Sequence, residues 1–321
     1  MKILCCGIFP ALQRTLELKT LKTGAVNRAR SVTRSVGGKA TNAARVLAAL
    51  GAEPLLFGFA GGNTGTAIKH LLSEEDIPHR FVETEIETRT CQTVLADDAD
   101  DFTELIEDPP PLPAHDWKSL AKAFAEIEGD FDRIIFSGTL PAHAPDDIYA
   151  ELIAATDPTK VILDTAGTPL LTALEQRPTL VKINAGELAK TVGSPGGDTR
   201  PTKNYHGAAP KLRGGDIVEL AQELIAQGAG AVGITQGPDS ASLITPNETV
   251  QFKIPKVDVK STLGCGDSVN AGFAFSLGKG NSFTEAFVFG LACGASNAMN
   301  RLPGVVHLEQ IEKLVQQINI Q

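Results

Sequence analysis

Residues 261–273 read STLGCGDSVNAGF. Gly264 and Gly266 flank Cys265, Asp267 follows at once, and small residues then continue as the start of a helix. A glycine-rich turn that opens into a helix offers unpaired backbone N–H groups and the positive end of the helix dipole, and anions bind there. Glycines at 264 and 266 let the backbone come close to a ligand. The expected helix runs from about Ser268 to Leu277, with Asp267 beside the anion hole. A carboxylate in that place can cap the helix. It can equally take a proton from a hydroxyl while the amides hold a migrating phosphoryl group. The two roles are compatible. Direct metal ligation is disfavoured, because no second acidic or histidine ligand lies close by in sequence.

Rival phosphate motifs fail. No G-x-x-x-x-G-K-[ST] string occurs, and a G-x-G-x-x-G fingerprint begun at Gly264 would need glycine where Val269 stands. A P-loop ATPase and a dinucleotide-dependent dehydrogenase are both disfavoured.

Outward from this stretch, short Val- and Ile-rich runs recur at 2–8, 55–60, 133–138, 160–164, 180–184 and 231–235. They alternate with helical patterns such as NAARVLAALG (42–51), DDIYAELIAAT (146–156) and GDIVELAQELIAQGAG (215–230). That alternation predicts βαβ units and a doubly wound, mainly parallel sheet in one α/β domain spanning 1–321. Ligands of such sheets sit at the carboxyl ends of strands, and here the runs end in Ser137-Gly138, Asp164, Asn184 and Thr235. Segments 11–36 and 80–107 alternate polar and apolar residues instead and predict a small separate sheet. Residues 193–215, rich in Gly and Pro, predict an exposed insertion without an assigned function.

The chain has 321 residues, a net charge of -9 and 42% hydrophobic residues. The charge argues against nucleic acid or an anionic membrane as the main partner. No run approaches 18 uninterrupted apolar residues, so no membrane span is expected. The 5 cysteines are odd in number and lack metal-ligand spacing, which points to the reducing cytoplasm.

A second constellation, VGGKATNAARVLAALG (36–51), puts Gly37 and Gly38 ahead of a helix carrying Asn42. Paired glycines permit close approach to a polyol, and an asparagine amide both donates to and accepts from hydroxyls. A plain strand–turn–helix junction accounts for the same residues.

Taken in order, VNRARSV, GGKATNAARVLAALG, RTCQT…TELIE, SGTLPAHAPDDIY, DTAGTPLL, KINAGEL, TQGPDSASLI and STLGCGDSVNAG resemble the ribokinase superfamily in its phosphofructokinase B branch, over nearly the whole chain. The resemblance implies a small β-sheet lid, built from 11–36 and 80–107, over a sugar site. It implies an ATP- and Mg²⁺-dependent kinase of a phosphorylated ketohexose: fructose 1-phosphate, fructose 6-phosphate or tagatose 6-phosphate. By the same resemblance Asp267 is the base, and the amides of Gly264, Cys265 and Gly266 hold the γ-phosphate. Glu187 organises magnesium. Lys182, Asn184, Thr235, Gly237 and Asn297 serve the nucleotide. Gln13, Gly37, Gly38 and Asn42 serve the sugar, and Arg28, Arg89 and Ser137 serve its phosphate. A homodimer through the lids is a further family expectation.

Departures concentrate at the sugar end. FPALQ (9–13) puts Phe9 and Gln13 where the family has asparagine and aspartate, Ala40 replaces a glycine, and Ile183 replaces a proline. The Ala40 methyl is expected to narrow the pocket or to disfavour a positive φ. These changes keep two alternatives open: a kinase of an unphosphorylated sugar or nucleoside, and a non-catalytic sugar-phosphate or nucleotide sensor.

Overall fold

Buried runs of β-branched residues become strands because both faces of a parallel sheet are covered. The computed structural model describes residues 1–99, 102–138, 140–141, 143–193, 214–238 and 240–321. Its strands are β1 (Lys2–Cys6), β2 (Ala11–Leu18), β3 (Ser31–Gly37), β4 (Glu53–Gly61), β5 (His79–Thr84), β6 (Thr90–Ala96), β7 (Thr103–Ile106), β8 (Arg133–Ser137), β9 (Val161–Asp164), β10 (Leu180–Asn184), β11 (Val232–Thr235), β12 (Ser240–Ile244), β13 (Thr249–Lys253) and β14 (Asn319–Ile320). Its helices are α1 (Lys39–Ala49), α2 (Gly62–Glu74), α3 (Ala114–Ala125), α4 (Ile148–Ala154), α5 (Thr168–Ala173), α6 (Ala185–Val192), α7 (Gly214–Gln227), α8 (Cys265–Gly278), α9 (Phe283–Ala298) and α10 (Leu308–Val315).

The large sheet is 10-stranded in the order β14-β13-β12-β11-β10-β9-β8-β1-β4-β5. It is parallel from β11 to β5 and antiparallel from β11 to β14. The period-2 alternation of strands splits its side chains between two cores. On β1, Ile3 and Cys5 pack with residues of α1, α2, α8, α9 and α10, while Leu4 and Cys6 pack with residues of α3 to α7. Helices therefore cover both faces, as the alternation of runs predicts.

A 4-stranded sheet, ordered β3-β2-β6-β7, stands apart from the large one. It is mixed: β2 pairs parallel with β6, and the outer pairs are antiparallel. Residues 80–84, grouped with the small sheet on pattern alone, lie instead in β5 at the edge of the large sheet. At this edge both faces are only partly covered: Phe81 packs on one core and Val82 on the other, each half-buried, between exposed Arg80 and Glu83. The helix expected from Ser268 begins already at Cys265, because Gly264 is its N-cap at φ 76. The insertion expected at 193–215 falls almost entirely outside the described residues. Among the described residues, no helix is long and apolar enough to cross a membrane.

Candidate active site

Five elements converge at the carboxyl ends of the central strands. β3 runs into α1 through Gly38, the N-cap of α1 at φ 129. β9 and β10 end in Asp164 and Asn184. α8 starts above them.

The start of α8 is close-packed. A Cβ at Gly264 would stand 2.7 Å from Pro303 Cβ, and one at Gly266 would stand 2.8 Å from Lys182 Nζ. Position 264, also at φ 76, requires glycine, and the distance at Gly266 places a buried ammonium against the first-turn amides. First-turn amides have no intrahelical acceptor; that of Cys265 makes only a long bond, 3.4 Å, to Thr262 O. Positive potential from the helix dipole and from Lys182 thus falls on one spot.

Asp267 is 8% exposed. Burial pushes its carboxyl above the usual carboxylate range, and Asp164 adds to that rise; Lys39, Asn42 and Lys182 oppose it. Asn42 Nδ2 donates to Asp267 Oδ2 at 2.8 Å. The Asn42 amide cannot turn freely, since Arg45 Nη1 donates to its Oδ1 at 3.3 Å and Arg45 is itself held by Glu75 at 2.6 Å.

Beside this pair lies an ion cluster. Asp164, 1% exposed, accepts from Lys39 Nζ at 3.0 Å and from Lys182 Nζ at 3.2 Å. Burial alone would raise its pKa, but the two ammonium groups hold it below the usual range. Lys39 also stands 3.5 Å from Glu187 Oε1. Burial would lower the pKa of Lys39; Asp164, Glu187 and Asp267 together raise it. Glu187 closes a capping box with Asn184 at the start of α6: Asn184 Oδ1 accepts from Glu187 N at 2.9 Å, and Glu187 Oε2 accepts from Asn184 N at 3.1 Å.

The model of the pfkB family carbohydrate kinases matches residues 2–303. The chain belongs to this family. It is 30% identical over 313 residues to a 1-phosphofructokinase of Bacillus subtilis (96% of this chain, 94% of the relative). It is 26% identical over 315 residues to a 1-phosphofructokinase of Borreliella burgdorferi (97% and 96%). Its fold matches the tetrameric inhibited form of phosphofructokinase-2 from Escherichia coli with TM-score 0.86 at 24% identity, covering 98% of each chain.

For this carbohydrate kinase, the expected site residues separate into groups. Asp267, Gly266, Asn42, Lys182 and Glu187 meet in the layer just described. Asn184 and Thr235 are register partners at the ends of β10 and β11, and Gly237, at φ 78, turns the chain just beyond. Gln13 lies on β2; its Nε2 donates to Thr93 Oγ1 at 2.7 Å, and a Cβ at Gly37 would stand 3.2 Å from its Oε1. Arg28 is exposed in the β2–β3 connection. Arg89 Nη1 donates to Glu107 O at 3.2 Å. Ser137 is 2% exposed, and its hydroxyl has no partner among the described residues.

Two expectations are revised. Asn297 is wholly buried; it donates to Leu263 O at 2.8 Å and to Cys265 Sγ at 3.3 Å, and accepts from Gly304 N at 2.8 Å. Its task is to hold the turn before α8, and no atom is left for an adenine. Ala40 sits within α1, not at a positive φ, and its methyl faces β1, where a Cβ at Gly7 would meet it at 2.5 Å. It fills space against Gly7. Lys39 and Asp164 were not among the expected site residues. Their signal was present: a carboxylate ending a buried strand needs a cation, and GGKATN supplies one.

Proposed function

We propose that this kinase transfers the γ-phosphoryl group of ATP to a hydroxyl of a phosphorylated ketohexose, fructose 1-phosphate foremost, then fructose 6-phosphate or tagatose 6-phosphate. The observation that carries the reading is Asp267: a buried carboxylate of raised pKa, aimed by Asn42, at a helix N-terminus backed by Lys182. Relatives named 1-phosphofructokinase, aligned over nearly the whole chain, support the choice of acceptor.

A sugar hydroxyl is a weak nucleophile at neutral pH. Asp267 takes its proton as the hydroxyl oxygen bonds to the γ-phosphorus. The bond from that phosphorus to the β–γ bridging oxygen breaks, and ADP leaves. The amides of Gly264, Cys265 and Gly266 and the Lys182 ammonium stabilise charge on the moving group. Raising the pKa of a carboxylate strengthens it as a base, and burial does that here.

Magnesium fits the donors present. Glu187, its side chain 16% exposed, would organise the ion largely through water, since magnesium takes few carboxylates and keeps several waters; both oxygens of Asp164 are already held by ammonium groups. When bound it neutralises phosphate charge. Among the described residues no group of three His, Cys, Asp or Glu side chains could form an all-protein metal cage.

In this reading Gln13, Gly37 and Gly38 hold the sugar and the small sheet acts as its lid. Arg28 and Arg89 bind the acceptor's phosphate through planar, bidentate guanidinium groups. Val32 and Leu105, 45% and 55% exposed, lie on one face of that sheet and support a homodimer through it. Sedimentation at micromolar concentration tests this. The cysteines are all unpaired, which supports a reducing compartment.

The test is ADP release with fructose 1-phosphate, fructose 6-phosphate, tagatose 6-phosphate, free fructose, ribose and adenosine, by the wild type and Arg89→Ala. The reading expects fast turnover on one phosphosugar and a raised KM for it in the variant. The exposure of Arg28 and the Arg89–Glu107 bond favour a second reading, a kinase of a free sugar or nucleoside. Turnover confined to those substrates would establish it.

A further inference from the structure

Asn270 lies one turn beyond Asp267 on α8. It is wholly buried, and neither its amide nitrogen nor its carbonyl oxygen has a partner among the described residues. A buried amide left dry is costly. The hydroxyl of Ser137, at the end of β8, is in the same state.

The fold brings these two orphans to one level. α8 runs antiparallel to β8: at its far end Leu277 O accepts from Arg133 Nη2 at 3.3 Å, and Gly278 packs against Arg133 and Met1. From Arg133 to Ser137 the strand rises about 13 Å. The helix climbs that height in about nine residues, which brings Ser137 level with the turn holding Asn270.

The fold also turns them toward each other. Around α8, Gly266 faces Lys182 on β10, Asp267 faces Asn42 on α1, and Gly272 faces Cys293 on α9. At about 100° per residue, Asn270 points between the first two directions, onto the sheet at β8 and β9. Ser137 is on the face of the sheet beneath α8. Ile135, of the same parity, belongs to the core of α1 and α8, whereas Ile134 and Phe136 belong to the opposite core.

We infer that Asn270 and Ser137 share ordered water sealed between α8 and β8, and that this bridge positions the first turn of α8, and with it Asp267, over the sheet. Buried water needs polar partners on its walls. The amide supplies a donor and an acceptor, and the hydroxyl supplies both again. Asn270 touches no substrate in this account; it is a positioning residue. The structural part of the inference is independent of the proposed function, and only its kinetic consequence rests on that reading.

The experiment combines crystal structures showing ordered water, thermal unfolding of Asn270→Leu, Ser137→Ala and the double variant, and steady-state kinetics. Water within hydrogen-bond reach of both side chains is expected in the wild type. Asn270→Leu should lower Tm, because it strands Ser137. Adding Ser137→Ala should then recover part of the loss, so the double variant is more stable than Asn270→Leu alone. The kcat of Asn270→Leu should fall roughly ten- to hundredfold with KM for both substrates unchanged.

A dry amide, a Tm that rises in Asn270→Leu with an independent effect of Ser137→Ala, or an unaltered kcat would overturn the inference. If Asn270→Leu does not fold, the Ser137→Ala structure decides alone: a lost water supports the bridge, and a water kept in place refutes it. An enzyme silent on every sugar would count against the proposed function, while the water and unfolding results would still decide this inference.

Discussion

Beneath the first turns of α1 and α8, charged groups are buried and matched; on the small sheet they are exposed or face their own kind. Asp164 is 1% exposed between two ammonium groups at 3.0 and 3.2 Å. On the small sheet Arg14 is the register partner of Arg34 across β2 and β3, a pairing of like charges. In the first region most charges are buried and hydrogen-bonded to fixed partners, the kind of arrangement that stabilises a transferring phosphoryl group. The second holds its cations near the surface, Arg28 exposed, Arg30 paired with Asp97 at 2.8 Å and Arg89 bonded to Glu107 O at 3.2 Å. Under the proposed function, catalytic power belongs to the first region and acceptor choice to the second.

Substitutions that remove a group from the buried layer should cost the most. Asp164→Ala removes the one ion-pair partner that buried Lys182 has among the described residues, while Lys39 keeps Glu187 at 3.5 Å, and loss of one partner of a buried pair costs about 3–5 kcal/mol. Urea unfolding measures this; a drop under about 1 kcal/mol would show the cluster to be solvated. The pKa of Asp164 is lowered by folding, so its contribution is present at neutral pH and is lost as pH falls through the folded-state value. The wild type should lose in acid what the variant already lacks.

A smaller loss is expected where the layer meets the sheet. Gly7→Ala would set two methyl groups 2.5 Å apart, and overpacking of that kind costs about 1–3 kcal/mol. Ala40→Gly in the same background should return the stability. Failure of that rescue would mean the contact with Ala40 is not the cause.

The small sheet should respond through binding, not folding. Thr93→Val removes the acceptor that orients Gln13, a bond worth about 0.5–1.5 kcal/mol. The KM for the sugar should rise severalfold while that for ATP stays put; equal rises in both would contradict the assignment. Arg28→Ala should leave stability within about 0.5 kcal/mol, as exposed positions do, and weaken only a phosphorylated acceptor. Parallel unfolding and KM measurements separate the two effects.

The sequence made the large sheet legible because its strands are buried on both faces and punctuated by polar ends. KILCCGI, RIIFSG, KVILD, LVKIN and AVGIT all became neighbours in the parallel part. β5 was grouped with the wrong sheet because a partly covered edge strand carries charged residues, Arg80 and Glu83, between the apolar ones, as a strand of the small sheet does. The glycine turn into α8 was readable because Gly264 marks a helix start, whereas Asp267 by itself read equally as a cap or a base. Lys39 and Asp164 were harder: they are 125 positions apart, and only the sheet brings their charges to 3.0 Å. Asn297 misled because a buried asparagine that staples a turn looks, in sequence, like one that meets a ligand. Ala40 misled because the glycine that accommodates it, Gly7, lies far away in sequence, just beyond the end of β1.

The most direct test is Asp267→Asn, assayed for turnover on the preferred sugar and for ATP binding. A general base contributes about 10²–10⁴-fold, so kcat should fall by at least a hundredfold with ATP binding intact. Stability should not fall with it. Folding raises the pKa of Asp267, so its ionisation costs stability as pH rises through the carboxylate range. The asparagine variant escapes that cost and should be at least as stable at neutral pH, with the difference closing in acid. Turnover within a few-fold of wild type would contradict the account, because the buried layer would then hold a carboxylate that the reaction does not use.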